Sequence, residues 1–277
     1  MMESSQKSNS FRNILCRLVF AAILCSLLYG FQSKVLVHQL QAPVLSFLYL
    51  DPIFWIADLT GLTRAVSSSF YIALAFDILL LASCVATTIF PSRRIFPTIF
   101  FLLYFLYFII FNSYGAHHTL NKVGILLMPL AFIVRPSRFG YLWEGLRYYT
   151  LFIFTSAFIW KLVRLSWLHS IQGELILKKN LVAYLVYHPE SFLSKMYFRL
   201  LDHPLILQLF FLAGFLLEGS FMIGFFTRKY DRLLLLGMFL LVAGFWFMAD
   251  AFFGELLIFG LTLLPLKYLP SPSQNRA

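Results

Sequence analysis

Long apolar runs alternate with short polar turns along almost the whole chain. Eight of these runs are long enough to be helical membrane spans, because about 20 apolar residues of helix cross the hydrocarbon core of a bilayer. We therefore predict an all-α fold, a polytopic transmembrane helical bundle of about eight spans. The predicted spans are residues 14–31, 66–90, 95–112, 119–134, 147–166, 205–226, 233–248 and 256–268.

The polar ends of the chain set the limits of the predicted domain. Residues 11–269 form a single transmembrane domain in this interpretation. The polar segment 1–10 is expected to be a disordered cytoplasmic tail, and residues 270–277 a polar C-terminal tail. The first apolar run is expected to stay in the protein, because Arg17 interrupts its start and no small-residue cleavage site follows it.

Three segments between the spans have a mixed apolar and polar pattern. Residues 32–65 are rich in apolar and aromatic side chains, which favours a segment on one membrane face over a free loop. Two amphipathic helices are predicted before span six, at residues 174–187 and 191–202, with Ser191 as the N-cap of the second. We expect both helices to lie flat at the membrane interface.

Composition and charge agree with a membrane protein. The chain has 277 residues, of which 60% are hydrophobic and only 12% charged, and no soluble globular domain has that balance. The net charge of +10 does not indicate nucleic-acid binding, because the basic residues cluster in alternate short turns, at 93–94, 135–138 and 228–232. By the positive-inside rule, this places both termini in the cytoplasm. The three cysteines have no zinc-like spacing, and we predict no metal site.

Charged residues inside the predicted spans are the first candidates for function, since each one is costly in lipid and usually has a partner or a role. Counting 1.5 Å per residue places Arg17 and Glu218 at a similar depth in the inner half of the membrane. We predict that they form a structural intramembrane ion pair rather than a functional one. Asp77, near the midplane, is a further intramembrane charge.

The candidate catalytic residues lie on the other side. The same count places Lys161 in the outer half of span five, near His118 or His117 at the outer end of span four. A lysine and a histidine do not form an ion pair, so their proximity predicts a proton-handling site in which a desolvated Lys161 acts as a base. The alternative is that Lys161 extends to the lipid headgroups and that the histidines are simply exposed.

Several short motifs occur in an order that is found in one family. They are RLVFAAIL in span one, HH before span four, SAFIWKL in span five, FFLAGFLLEGSFMIGFF in span six, TRKYDR after it, and FWFMADAFFGE at the end of span seven. In this order the chain resembles the vitamin K-dependent γ-carboxylase superfamily, whose bacterial members are called horizontally transferred transmembrane (HTTM) domain proteins. The resemblance covers residues 11–266 and extends, more distantly, to DoxX-like and methylamine-utilisation membrane proteins.

The resemblance implies roles for specific residues. In the animal carboxylase, a lysine in the matching span deprotonates reduced vitamin K, and its position corresponds to Lys161. A histidine near the matching span four corresponds to His118 or His117, and an acidic residue in span six to Glu218. The chain departs from the pattern because the histidine of the penultimate span is missing from the run 245–247, and only a short tail follows span eight. We therefore do not expect peptide γ-carboxylation.

Three kinds of function remain open from the sequence. The first is a membrane enzyme or binding protein for a quinone or lipid, with Lys161 as the base. The second is a non-enzymatic membrane scaffold or assembly component, in which the charges only support packing. The third is a transporter that uses Asp77, although no inverted repeat is found. We rank them in that order and expect the chain in the bacterial cytoplasmic (inner) membrane, with the lipid bilayer and a quinone or lipid as its partners.

Overall fold

A computed structural model of the chain describes residues 2–40, 59–113 and 123–264. The described residues are helical throughout, with turns between the helices and no strands, which confirms the all-α prediction. They divide into two compact units, Met1–Leu146 and Arg147–Pro265. Each unit is described separately below.

Four helices in the described residues are long and apolar enough to cross a membrane. They are Asn9–Gln39, Phe70–Ile89, Pro204–Phe225 and Asp231–Ala249. Three shorter apolar helices accompany them, at Ile95–Phe111, Gly124–Ile133 and Gly254–Leu263. The chain is therefore an α-helical protein with several candidate membrane spans, and within the described ranges fewer helices reach full length than the eight spans that the apolar runs predict.

Within residues 2–40, 59–113 and 123–146, the first unit contains six helices and the start of a seventh. Their bounds are Met2–Gln32 (α1), Leu62–Ser67 (α2), Phe70–Ile89 (α3), Ile95–Ser113 (α4), Val123–Leu127 (α5), Leu130–Ile133 (α6) and Pro136–Val163 (α7). Helix α1 packs along α3, and α3 packs along α4. A short 3₁₀ turn, Val37–Gln39, follows α1.

Aromatic rings and one buried arginine hold this unit together. Phe20 of α1 packs edge-on against Phe100 of α4, with ring centroids 5.3 Å apart, and lies 6.1 Å from Phe132 of α6. The buried Arg12 donates a hydrogen bond of 2.6 Å to the carbonyl oxygen of Phe132. Because free carbonyls lie at the C-terminal end of a helix, this cation caps α6 and fixes it to α1.

Two of the predicted boundaries in the first unit are corrected by the structure. Helix α1 begins at Met2, within the segment that we expected to be disordered. The described part of the predicted span 119–134, residues 123–134, contains two short helices, α5 and α6, separated at Met128 and Pro129. Proline lacks the N–H that the helix would need at this position, so the run breaks here despite its apolar composition. Of the predicted segment 32–65, residues 41–58 lie outside the described residues.

The second unit contains the rest of α7 and five further helices. Their bounds are Gln172–Tyr187 (α8), Phe192–Leu201 (α9), Pro204–Ser220 (α10), Asp231–Ala249 (α11) and Gly254–Gly260 (α12). A 3₁₀ segment, Phe221–Phe225, extends α10, and another, Leu261–Leu263, extends α12. Helices α10 and α11 therefore form a hairpin around the basic turn at 226–230, as the apolar runs predict.

Helix α7 begins earlier than predicted. The segment 135–140 was expected to be a tight basic turn, but Pro136 is the first residue of the helix. Proline suits this position because its fixed φ is helical and the first N–H of a helix has no partner in any case. The helix ends at Val163, and Leu165 then adopts a left-handed conformation with φ of 54°.

Both short helices between α7 and α10 were predicted within two residues of their ends. Ser191 is the N-cap of α9, and its side chain accepts a hydrogen bond from the backbone N–H of Ser194. The apolar stripe of α8, Leu177, Leu181 and Leu185, is buried against Leu207 of α10. Helix α8 therefore packs against the hairpin of α10 and α11 with one face and exposes the other.

Candidate functional site

The second unit contains a buried ion pair between two helices. Lys161 lies in the last turn of α7, and Glu218 lies in the last turn of α10. The Nζ atom of Lys161 is 2.5 Å from each carboxylate oxygen of Glu218. Glu218 is 1% exposed, whereas Lys161 is 27% exposed. The carboxylate is thus fully enclosed and the ammonium group is partly accessible.

A glycine and two aromatic rings in contact allow these helices to approach closely. Phe158 of α7 packs against Phe215 of α10, with ring centroids 4.6 Å apart. A Cβ atom at Gly219 would come within 2.8 Å of the Phe158 ring. Phe158 and Lys161 are one turn apart, as are Phe215 and Glu218, so the aromatic contact and the ion pair share the same faces.

Beside the ion pair lies a cavity of about 420 Å³. Its wall is formed by the start of α8, one face of α10 and the second half of α11. Among the described residues that line it, Lys161 and Glu218 are the only charged ones, and nearly all the others are aliphatic, aromatic or glycine. Mostly apolar pockets of 300–1,000 Å³ with a few polar groups are typical of small-molecule sites.

Helices α8 and α9 support the wall of this cavity. The N–H of Gly173, at the start of α8, donates to the side-chain oxygen of Gln208 on α10 at 3.3 Å. A Cβ at Gly173 would collide with the carbonyl oxygen of Leu207, so only glycine allows this approach. On α9, the hydroxyl of Tyr197 donates to the carbonyl of Phe247, a cavity residue, at 2.8 Å. Burial raises the pKa of Tyr197, which keeps this donor protonated.

A second buried ion pair in the same unit has a different environment. Arg147 of α7 binds both carboxylate oxygens of Asp231, at 2.9 and 2.7 Å. The same guanidinium group donates to the carbonyls of Gly224 and Thr227, at 2.9 and 3.5 Å. Arg147 is 2% exposed. This pair connects α7 to both ends of the turn between α10 and α11, and the sequence analysis did not find it.

The first unit contains an aspartate–histidine pair. Asp77 of α3 is 2% exposed and lies 2.7 Å from Nδ1 of His38. The backbone N–H groups of Val37 and His38 also donate to this carboxylate, at 3.2 and 2.9 Å. A carboxylate with three donors is a satisfied buried group. Asp77 therefore fixes the 3₁₀ turn after α1 to α3, and His38 is its partner, which the sequence analysis did not identify.

The structure corrects the predicted partner of Glu218 and the predicted depth of Lys161 relative to it. The ionic partner of Glu218 is Lys161, which replaces Arg17 as the predicted partner, because both carboxylate oxygens of Glu218 are held by Nζ. Arg17 belongs to the first unit and is exposed there. The depth count had placed Lys161 and Glu218 in opposite halves of the membrane, and a contact of 2.5 Å excludes that difference. His117 and His118 lie outside the described residues.

The fold and site together define an α-helical protein with candidate membrane spans and an apolar cavity, in whose wall Lys161 and Glu218 are the charged pair among the described residues. The arrangement provides an ammonium donor and a carboxylate acceptor at one place in an otherwise apolar space. No family model, curated protein or solved structure matches the chain.

Proposed function

We propose that this chain is a multi-pass membrane protein that binds a quinone or another lipophilic molecule in the cavity of the second unit. The observation that carries the proposal is the cavity itself, about 420 Å³ of mostly apolar space with Lys161 and Glu218 as its only charged lining residues among those described. The apolar wall would hold the hydrocarbon part of the ligand, and the pair would bind its polar group.

The charge balance of the pair favours a neutral polar group. A lysine ammonium and a glutamate carboxylate sum to zero, so an additional charge in the cavity would be uncompensated in an apolar environment. A neutral carbonyl could accept a hydrogen bond from Nζ of Lys161, and a hydroxyl could donate to Glu218. Quinones, quinols and fatty alcohols or esters have this chemistry.

Binding is better supported than base catalysis. The resemblance to the HTTM and γ-carboxylase family implies that Lys161 is a base, which requires its Nζ to lose a proton. In the structure, Nζ of Lys161 lies 2.5 Å from each carboxylate oxygen of Glu218 and is held as their donor. We therefore propose Lys161 as a hydrogen-bond donor to the ligand, and membership of that family remains a proposal that depends on the order of the motifs.

The position in the membrane is part of the proposal. Eight crossings with both termini in the cytoplasm, in a bacterial inner membrane, agree with the basic turns that alternate along the sequence. Helices α8 and α9 would lie at the interface. Phe192 is 82% exposed on α9, and the cations of Lys178, Lys195 and Arg199 are exposed on the outer faces of the two helices.

The experiment compares the ligands that co-purify with the wild type and with two double variants, each of which lacks one ion pair. The full chain is purified in lipid nanodiscs, extracted with organic solvent and analysed by mass spectrometry. We expect a quinone or neutral lipid in near-stoichiometric amount with the wild type, and its loss in Lys161→Met/Glu218→Leu, which keeps the approximate volume. The control, Glu174→Leu/Lys178→Met, removes an exposed ion pair on α8 and should retain the ligand.

The alternative is a scaffold in which the pair only joins α7 to α10. The contact of Nζ with both carboxylate oxygens of Glu218 favours this interpretation, because each charge already has its partner inside the protein. In that case the wild type would carry no stoichiometric ligand. Added quinone or fatty alcohol would then leave the unfolding temperature of the wild type unchanged, whereas a ligand that binds the cavity would raise it in the wild type and not in Lys161→Met/Glu218→Leu.

A further inference from the structure

The wall of the cavity reaches the outer surface of the second unit. Phe210 of α10 and Leu240 of α11 line the cavity, and they are 52% and 58% exposed. Both belong to helices that are long and apolar enough to cross a membrane. The exposed face of a membrane-spanning helix meets lipid, so this part of the wall separates the cavity from hydrocarbon rather than from water.

Two glycines in the same wall leave empty space beside the helix backbone. Gly214 of α10 and Gly244 of α11 line the cavity, and a Cβ atom at either would meet no atom within 4 Å. At 1.5 Å per residue, each lies about 18–20 Å from the turn that joins α10 to α11. Since the two helices form a hairpin, the glycines are at similar heights, well inside the hydrocarbon core of about 30 Å.

We propose that the cavity is loaded sideways, from the bilayer, through the gap between α10 and α11 at Gly214 and Gly244. This inference depends on the proposed ligand binding and adds the route and the class of ligand. A molecule that enters from hydrocarbon must be neutral and lipid-soluble, because a charged one would first be desolvated at a cost of several kcal/mol. Water-soluble metabolites are excluded by this route.

The charged pair agrees with entry from this side. Glu218 is one helical turn farther along α10 than Gly214, on the same face. A ligand that enters at Gly214 therefore reaches the ammonium and carboxylate groups after moving about 6 Å along the helix. Its polar group would meet a donor and an acceptor at the end of the path, where the wall is otherwise apolar.

The test measures how fast a lipid-dissolved probe enters the cavity. Full-length protein in nanodiscs is mixed with lipid vesicles that contain a fatty alcohol with a diazirine group, and samples are irradiated at increasing times. Fragment-ion mass spectrometry of peptides that cover residues 240–249 locates the label on Leu241, a cavity residue that is 3% exposed, and so gives the rate of labelling inside the cavity, whereas Leu240 and Trp246 of the same peptide are exposed to lipid. Gly214→Leu and Gly244→Leu each place a larger side chain in the open gap. We expect roughly tenfold slower labelling in each variant, as the opening narrows.

A matched control accounts for the substitution itself. Gly145→Leu introduces the same side chain on α7, at an exposed position where a Cβ also meets no atom within 4 Å. Its labelling rate should equal that of the wild type. Thermal unfolding is followed for all variants, and if one cavity variant does not fold, the other decides the result.

Each outcome bears on a different part of the proposal. Labelling of Gly214→Leu and Gly244→Leu at the wild-type rate would overturn sideways entry and leave ligand binding intact. Equally fast labelling of the wild type by a sulfonated, water-soluble diazirine would also overturn it. If the fatty alcohol does not label the cavity in the wild type at all, both the route and the proposed binding function are wrong.

Discussion

The two buried ion pairs of the second unit have the same kind of partners and opposite surroundings. Arg147 and Asp231 are both enclosed, and the guanidinium group also binds two backbone carbonyls at the turn between α10 and α11. Lys161 and Glu218 form the wall of a cavity, and the lysine is 27% exposed. One pair is saturated by protein, while the other faces a space that a ligand can occupy.

This difference shows why burial alone does not identify a functional charge. Arginine presents several donors in a fixed plane, which suits a permanent link to a carboxylate and to backbone carbonyls. Lysine presents a single compact charge on a flexible chain, and its remaining donors can turn towards a ligand. The surroundings of the Arg147 pair therefore indicate a structural role, and those of the Lys161 pair agree with the proposed ligand-binding role.

The largest effect is expected from Arg147→Met. This change leaves the Asp231 carboxylate buried without its cation, which costs about 3–5 kcal/mol when one partner of a buried pair is removed. It also removes the donors to the carbonyls of Gly224 and Thr227. We expect little folded protein, measured as the monodisperse fraction on size exclusion and the thermal unfolding temperature in detergent.

The control for this variant is Arg164→Met. Arg164 is an exposed cation near the end of the same helix, and it lies over the ring of Trp160 at 4.2 Å. Its loss should change stability by about 0.5–1 kcal/mol. Equal yields of Arg147→Met and wild type would contradict the structural role and remove the contrast between the two pairs.

The second prediction concerns an asymmetry within the Lys161 pair. Lys161→Met leaves an enclosed carboxylate without a cation, whereas Glu218→Gln leaves a lysine that is partly accessible and keeps a polar partner. Lys161→Met should therefore be the more destabilising, by about 1–2 kcal/mol, since the more deeply buried charge has the greater desolvation penalty. The difference in stability is measured by thermal unfolding of both single variants and of the double variant Lys161→Met/Glu218→Leu.

The double variant Lys161→Met/Glu218→Leu tests whether the Lys161 pair differs from the Arg147 pair in its contribution to stability. With both charges removed and the volume kept, its stability should return close to that of the wild type. The Arg147→Met/Asp231→Leu variant should recover less, because the carbonyls of Gly224 and Thr227 stay without donors. Equal recovery in the two double variants would mean that the surroundings of the pairs do not differ in the way proposed.

The third prediction tests a carboxylate held mainly by backbone. Asp77→Asn keeps an acceptor oxygen but places an amide group among three donors, the N–H groups of Val37 and His38 and the His38 ring. One donor is then left without an acceptor, and the expected loss is about 1–3 kcal/mol. The unfolding temperature should decrease less in Asp77→Asn than in Arg147→Met. A larger decrease in Asp77→Asn would mean that Asp77, rather than Arg147, is the charged residue that contributes most to stability.

Much of the fold follows from the apolar runs. Helices α4, α10 and α11 coincide with predicted spans, because an apolar segment bounded by polar turns determines both the helix and its ends. The N-cap at Ser191 follows from local chemistry in the same way. Two of the errors were at prolines, where Pro129 divides a predicted span and Pro136 begins α7 about three turns before the predicted start.

The partners of the charges could not be derived in the same way. Glu218 and Lys161 are 57 residues apart, and their contact depends on how α7 and α10 are rotated about their axes. A shift of one residue rotates a side chain by about 100°, so an uncertain helix start leaves the facing residue undetermined. The earlier start of α7 does not explain the wrong pairing, because a count from Pro136 would place Lys161 even farther from Glu218. The depth count used backbone heights alone and left out the long lysine side chain, which in a helix points back towards the N-terminus.

The smallest expected effect is at Tyr197, which supports the cavity wall without lining it. Tyr197→Phe removes the hydrogen bond to the carbonyl of Phe247 and should reduce stability by about 1 kcal/mol. Because burial raises the pKa of Tyr197 in the folded chain, its contribution is fully present below the ordinary tyrosine pKa of about 10 and is lost as the pH rises further. Unfolding temperatures of wild type and variant should therefore differ by a constant amount near neutral pH and converge above pH 10.

Ligand retention should be unchanged in Tyr197→Phe, since the Lys161 pair and the cavity wall at α10 remain intact. A loss of ligand would place α9 within the binding site.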